Sequence, residues 1–546
     1  MIKKLFLKAT TFLLFTACAV QSGNAQTSHF VDLTVNVIDG NLSPFNNILP
    51  GDTLLIEAGP RKFLIFKNLT GNDSLPVIIM NKDGAVIIDS DHYFGISIRM
   101  SKYFRITGTG SPDEPYGFRI FNRQGSGLSI GDFSSFFEAD HIEVGNSEFS
   151  GIIAKTEPFC GFDRSMFLQE NTVIHDCYVH HTGTEGMYIG SSFYSGQTIT
   201  CNGAAVIVYP PLLRNVEIYN NRVEYTGWDG IQVSSAINVS IHHNDVRFDS
   251  QAFAPFQMTG IAMGGGTTGA IYSNRIKDGE GIGIFANGLG DVHIFNNEII
   301  RPGKSRSAAS QKYGMYIDDK NSISGMYFNI YNNLILQPAE EGIHFLCSSH
   351  LQNKIFNNII ILPIANTFNA PAYIKAIGEP VDAGINFMTG DIDNARFEDP
   401  NHDIFRPEEG SVLIDGGQIV PFNLMLLDIS GNSRLQGNAI DLGPNESAFS
   451  RAIDTKENVI SDRVYPNPGV KDGKSTIIFD NPDEGYVEFR LLDFTGKTVK
   501  IIGSEYFSKG KQYKIISNTD LQYGINFIQI VKRRHISLIK LSIAYE

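Results

Sequence analysis

The chain has 546 residues, 42% hydrophobic and 19% charged, with a formal net charge of −14. That length supports a large core, and the acidic balance argues against a nucleic-acid partner. Its five cysteines include no C-x-x-C pair, and no histidine cluster has zinc spacing.

The N-terminus carries Lys3 and Lys4, an apolar run to Leu14, and small residues up to Ala25. This is the pattern of a secretory signal, too short to remain in a bilayer as an anchor. Cleavage after Ala25 removes Cys18. F-T-A-C (15–18) also resembles a lipoprotein box, with Phe15 in place of the usual Leu; in that alternative Cys18 is lipidated. No later apolar segment is long enough to span a membrane. P-G-D-T-L-L-I-E-A-G (50–59) and L-P-V-I-I-M-N-K-D-G-A-V-I-I-D (75–89) read as opening coils of the repeat that follows.

That repeat is an apolar residue, a short polar step, Asn, and another apolar residue. It occurs as I-Y-N-N-R-V (218–223), I-H-H-N-D-V (241–246), I-Y-S-N-R-I (271–276), I-F-N-N-E-I (294–299), I-Y-N-N-L-I (330–335) and I-F-N-N-I-I (355–360). Asn221, Asn244, Asn274, Asn297, Asn333 and Asn358 are separated by 23, 30, 23, 36 and 25 residues. A unit near 23 with insertions is a solenoid that returns to one place each turn. The small residues Cys177 and Ser147 extend the column backwards. Each Asn phrase has a partner of the form acid-Gly-apolar-x-apolar, such as D-G-I-Q-V (229–233) and E-G-I-G-I (280–284). Its alternation is strand periodicity. Gly and Asn, which tolerate positive φ, supply the bends. Strands in one register stack as parallel sheets, with the asparagines as a ladder of amides.

The repeat resembles the right-handed parallel β-helix of the pectate-lyase-like superfamily, over about residues 30 to 445. The expected domain spans 26–450 and is all-β. D-I-S-G-N-S-R-L-Q-G-N-A-I-D-L-G-P-N-E (428–446) looks like a closing segment that caps the last coil's unpaired edge.

Register then fixes neighbours. The outward column of the partner phrase is Ile153, Tyr188, Gln232, Ala262, Gly283, Tyr316 and His344. The next is Lys155, Gly190, Ser234, Gly264, Phe285, Asp318 and Leu346. The small middle residues imply a trough walled by aromatic and polar groups, suited to an extracellular polysaccharide. Glu185 and Asp229 precede the glycines of neighbouring coils. Paired carboxylates at about 5 Å suit a retaining glycosidase. The excursion 301–312 holds Arg301, Lys304, Arg306 and Lys312, which suit an anionic sugar. Trp228 would stack on a sugar ring.

The resemblance implies lyase chemistry: β-elimination from a uronate, with a Lys or Arg base and Ca²⁺ or Arg neutralising the carboxylate. Lys155 is the candidate base, Arg306 and Lys304 the grip, and Tyr188, Trp228 and Tyr316 the stacking surface. Asp318, Asp319, Glu185 and Asp229 are candidate Ca²⁺ ligands, although no lyase metal signature is present. A glycoside hydrolase and a non-catalytic adhesin of the same fold remain the alternatives. Cleavage of the signal would leave four cysteines with three pairings open. Cys160 and Cys201 fall in excursions of neighbouring coils, where a bridge could form.

Residues 451–463 read as a polar linker. V-Y-P-N-P (464–468) opens a set of short strands: T-I-I-F (476–479), Y-V-E-F-R-L-L-D (486–493), Y-K-I-I (513–516) and I-N-F-I-Q-I (525–530). Residues 464–546 resemble the sorting domain of the type IX secretion system of Bacteroidota, a small β-sandwich. That implies delivery by this machinery across the outer membrane, to the medium or cell surface, as a monomer.

Overall fold

Asn244 shows how one coil closes. The strand Ala236–His242 ends at the bend before it and Asp245–Arg247 begins after it. Residues 248–258 then lead to Thr259–Met263, and a short turn reaches Gly269–Tyr272 of the next coil. Each coil thus contributes to three faces. In this computed structural model, described at residues 26–307, 312–348, 352–361, 372–418, 427–434, 436–450, 462–465, 467, 469–492, 498–522, 524–532 and 536–544, the strands stack coil upon coil as a parallel β-helix. The first two faces join at the bend into a 23-stranded sheet, and the third is a separate 12-stranded sheet. The signal segment with Cys18 and linker residues 451–461 lie outside the described residues.

The amide ladder is one file. Asn221 Nδ2 donates to Asn244 Oδ1 at 3.0 Å, and the same bond repeats up the file through Asn358 to Asn386 at 2.9–3.0 Å. Each Asn also takes the backbone N–H of the preceding Asn. Buried backbone groups at every bend are thereby satisfied. Cys177 belongs to the row, because its N–H reaches Asn221 Oδ1 at 3.0 Å. Ser147 does not: it pairs with Thr182, while Glu143 pairs with Tyr178, which places Ile142 beside Cys177.

Two local expectations are corrected. Positive φ falls on the residue before Cys177 and before each ladder Asn from 221 to 358, namely Asp176, Asn220, His243, Ser273, Asn296, Asn332 and Asn357, leaving the Asn itself free to bridge coils. The glycines of the partner phrase serve close approach instead. A Cβ on Gly283 would stand 2.3 Å from Ile299 Cγ2 and 2.6 Å from the Gly314 carbonyl oxygen. The corner between the second and third faces is too tight for any side chain there.

Inward residues such as Ile98, Ile130, Ile189, Val233, Met263, Ile284 and Ile317 are fully buried in one continuous core. Outward on the first face, His175, Tyr219, His242, Tyr272, Phe295, Tyr331 and Phe356 form a file of rings 4.6–5.5 Å apart. The segment after the last coil does not lie across its end. It runs back along the outer flank, packing Phe397, Phe405, Leu413 and Leu442 on Ile300, Leu334 and Ile359, and Ile440 on Phe295, Tyr331 and Phe356. Apolar side chains left outward on these coils are what it covers.

Residues 463–544 form a second core of Ile477, Phe479, Val487, Phe489, Ile528 and Leu541. A three-stranded and a five-stranded sheet enclose it. The strands Lys474–Asn481, Gly485–Leu492, Gly510–Ser517 and Gly524–Val531 contain the segments anticipated from sequence. Thr498–Phe507 and Ile536–Ala544 were not anticipated. No helix among the described residues is long and apolar enough to cross a membrane.

Candidate functional site

The outward row of the 12-stranded sheet reads Ser129, Ile153, Tyr188, Gln232, Ala262, Phe285, Tyr316, His344 and Lys375. Phe285, not Gly283, stands between Ala262 and Tyr316. The phrase E-G-I-G-I offers two glycines, and the tight corner selects Gly283, so the register moves by two residues. Asn287 consequently takes the place expected of Phe285, its N–H bonding the Met263 carbonyl at 3.1 Å.

The trough is therefore shorter than anticipated. Its floor is Gln232 and Ala262, 7% and 4% exposed. Three strand spacings, about 14 Å, separate the rows of Tyr188 and Phe285. Beyond Phe285 the rings of Phe285, Tyr316 and His344 stack at 5.7 and 5.2 Å. Tyr313 lies 4.6 Å from His344, and burial first, then Glu340 and Glu341, push its phenol up to about 12. The rows of Tyr188 and His344 are five strands apart, about 24 Å. The candidates thus divide into two groups that cannot act on one bond.

In the first group Lys155 Nζ sits 4.0 Å from the centre of the Tyr188 ring and 2.5 Å from Glu157 Oε1. Burial opposes its charge, but Tyr188 and Glu157 outweigh burial and raise the ammonium above its ordinary range. Lys155 is held as a cation. Tyr188 Oη lies 3.0 Å from Ser192 Oγ. Below this face, at the corner, Glu185 and Asp229 lie on adjacent coils, 4% and 3% exposed, with the Gly186 N–H bonded to the Asp229 carbonyl. Ser150 Oγ donates to Glu185 Oε2 at 2.8 Å. Asp229 is pushed well up by burial, then by Glu185 and Asp249. Burial likewise pushes Asp249 up to about 7. No lysine or arginine among the described residues pairs with these three carboxylates. Asp249 escaped the sequence reading. Its signal is register: it follows Ser147, Thr182 and Thr226 in a column of hydroxyls, and Gly279 on the next coil makes room for it.

Trp228 lies half-buried in the turn beside Asp229, with its N–H on the Thr184 carbonyl at 3.1 Å. The Cys160–Cys201 disulfide forms and ties the excursions 156–167 and 190–211 together. They wall one side of the trough: Arg164 lies 4.6 Å from the Tyr194 ring, and Tyr194 fills the space above Gly266.

The basic excursion is mostly spent on structure. Arg301 pairs with Asp278 and Asp403 at 2.7 and 3.0 Å, Lys304 with Asp278 at 3.4 Å, and Lys312 with Glu340 at 3.8 Å. Arg306 is exposed and makes no ion pair with a described residue. In the second group Asp318 pairs with Lys320 at 3.0 Å. Asp319 turns inward, accepting from Asn353 Nδ2 at 2.8 Å, which removes it as an outward Ca²⁺ ligand. Elsewhere Glu138, Asp140 and His175 cluster within metal-ligating distance on the first face. Arg105 already occupies those carboxylates, at 3.1 Å from Glu138 Oε1 and 2.8 Å from Asp140 Oδ2.

Among the described residues, the buried polar atoms without hydrogen-bond partners at this sheet and its corner include Gln232 Oε1, Asn287 Oδ1, His344 Nδ1 and Asp229 Oδ1. Burial, opposed by Glu341, lowers the basicity of His344. Gln232 and His344 lie on the outward row with Asn287 beside it, where a hydroxyl-rich ligand would satisfy them, whereas Asp229 lies below the face.

Residues 214–394 match the family described as a right handed beta helix region. Among solved structures, a pectate lyase aligns at 14% identity over 78% of this chain and 97% of its own, with a TM-score of 0.45. An alginate lyase from Paenibacillus sp. aligns at 14% identity over 66% and 95%, with a TM-score of 0.34. A lacto-N-biosidase from Eubacterium ramulus aligns at 11% identity over 66% and 68%, with a TM-score of 0.36. No curated protein matches. The chain is an all-β protein built on a right-handed parallel β-helix, followed by a small C-terminal β-structure.

Proposed function

We propose that this is an exported enzyme that cleaves a uronate-containing polysaccharide by β-elimination, bound along the outward face of the 12-stranded sheet. The observation that carries the reading is Lys155, its ammonium held against the Tyr188 ring, with Gln232 on the far side of Tyr188. Lys155 faces the uronate carboxylate and withdraws charge from it, which acidifies the adjacent C–H. Held against Tyr188 and Glu157, its ammonium takes the part of the neutraliser in this reading. The Tyr188 hydroxyl oxygen, positioned by Ser192, takes the proton from that carbon as its own hydroxyl proton passes to the leaving glycosidic oxygen. A C=C bond forms as the C–O bond breaks. Gln232 and Asn287 take sugar hydroxyls, Phe285 and Tyr316 provide rings, and Arg306 meets a further acid group.

Asp229 favours a second reading. A carboxyl pushed up beside Glu185 and Asp249 is the acid of a carboxylate pair, as hydrolysis needs. The signal segment and the sandwich at 463–544 support export through type IX secretion.

Incubation with polyuronates and neutral glycans separates the readings. Ultraviolet absorbance of an unsaturated uronate is the expected result. Reducing ends without that absorbance assign the carboxylates, and retained glycan binding without cleavage makes the protein an adhesin.

A further inference from the structure

The segment that folds back along the flank forms an open groove of about 430 Å³ against the ladder bend, within the roughly 300–1,000 Å³ usual for small-molecule sites. This groove is on the ladder side of the coil, away from the 12-stranded sheet. Arg275, Glu298, Asn445, Ser273, Ser430 and His243 line it. Arg275 Nη2 donates to the Asp403 carbonyl at 2.8 Å, while its Nε is buried without a hydrogen-bond partner, 3.7 Å from Glu298 Oε2. Glu298 is 8% exposed, and its other oxygen meets Asn445 Nδ2 only at 3.4 Å.

The other charges at this site are already engaged. Asp245 takes Arg247 at 2.7 Å, Asp403 takes Arg301 at 3.0 Å as well as Lys277, and Arg406 takes Glu398 at 2.9 Å. An ion would have to compete with these pairs. A ligand that both donates and accepts fits better, meeting the Arg275 N–H, the Glu298 carboxyl, the Asn445 amide and the serine hydroxyls together. We propose that this groove is a second carbohydrate site, for a neutral sugar of one or two rings. It is formed jointly by the coil and the folded-back segment and is independent of any cleavage on the opposite side.

Saturation-transfer NMR and calorimetry on the full chain test it, with cellobiose, lactose and maltose as neutral probes, and digalacturonate and inorganic sulfate as anionic ones. At least one neutral disaccharide should bind. Ser430→Trp, at the exposed mouth, and Asn445→Ala, inside, should each weaken it about tenfold or more through lost space and lost hydrogen bonds. Tyr188→Ala should leave it unchanged. Binding of the anionic probes alone, no binding of any disaccharide, or binding lost in Tyr188→Ala but kept in Ser430→Trp would each overturn the proposal. Circular dichroism of both groove variants establishes that they fold.

Discussion

Replacing Asn274 with alanine isolates the force that holds the coils in register. Asn274 Nδ2 donates to Ile241 O, Tyr272 O and Asn297 Oδ1 at 2.9–3.1 Å, and its Oδ1 accepts the Asn244 N–H and Asn244 Nδ2 at 3.0 and 2.9 Å. Alanine removes all five. Asn297 Oδ1 keeps the Asn274 N–H, and Asn244 Nδ2 keeps Ile218 O at 2.9 Å. The Asn244 N–H and the Ile241 carbonyl lose these partners inside a dry bend. At about 1–3 kcal/mol per stranded buried group, the loss should be about 3–5 kcal/mol. Asn386 ends the file and is half-buried, so water can replace it, and Asn386→Ala should cost about 1 kcal/mol. Urea unfolding followed by Trp228 fluorescence reads the solenoid alone, since the chain has one tryptophan. Equal losses in the two variants, or a loss near 1 kcal/mol at Asn274, would refute the argument.

Gly283→Ala should destabilise the solenoid by several kcal/mol, because the Ile299 methyl and the Gly314 carbonyl cannot both retreat from the added Cβ; the same denaturation measures it, and a loss under about 1 kcal/mol would mean the corner is looser than described. Asp249 has its folded pKa raised to about 7, so it favours the fold most below the ordinary carboxyl range, and that contribution fades as pH rises through about 7. Asp249→Asn should therefore lose less stability than the parent between acid and mildly alkaline pH; parallel profiles count against the buried-carboxyl reading. Lys155→Met should abolish cleavage of a polyuronate and flatten the salt dependence of its binding, measured by calorimetry at two ionic strengths. Unchanged salt dependence places the anion contact elsewhere.

The coil was legible because its cause is local: each Asn phrase carries its own bend, and six copies fix the stacking. The register of a single coil was less secure. Gly281 and Gly283 both satisfy the partner phrase, and only Ile299, on the following face, decides between them. That slip displaced Phe285 and Asn287. Lys155 and Tyr188 were correctly brought together, since their rows are adjacent. His344 stands apart from them because four coils lie between its row and that of Tyr188. Asp249 was hidden among threonines of other coils. The pairing of Arg301 with Asp403, 102 residues away, depends on a segment whose return path no local pattern records.

The most direct test of the cleavage site is the structure of the Lys155→Met variant with a bound oligouronate. The sugar chain should lie across Gln232 and Ala262, between Tyr188 and Phe285, with a carboxylate facing residue 155. An oligouronate seated on another face, or one that spans only the rows of Tyr316 and His344, would contradict it.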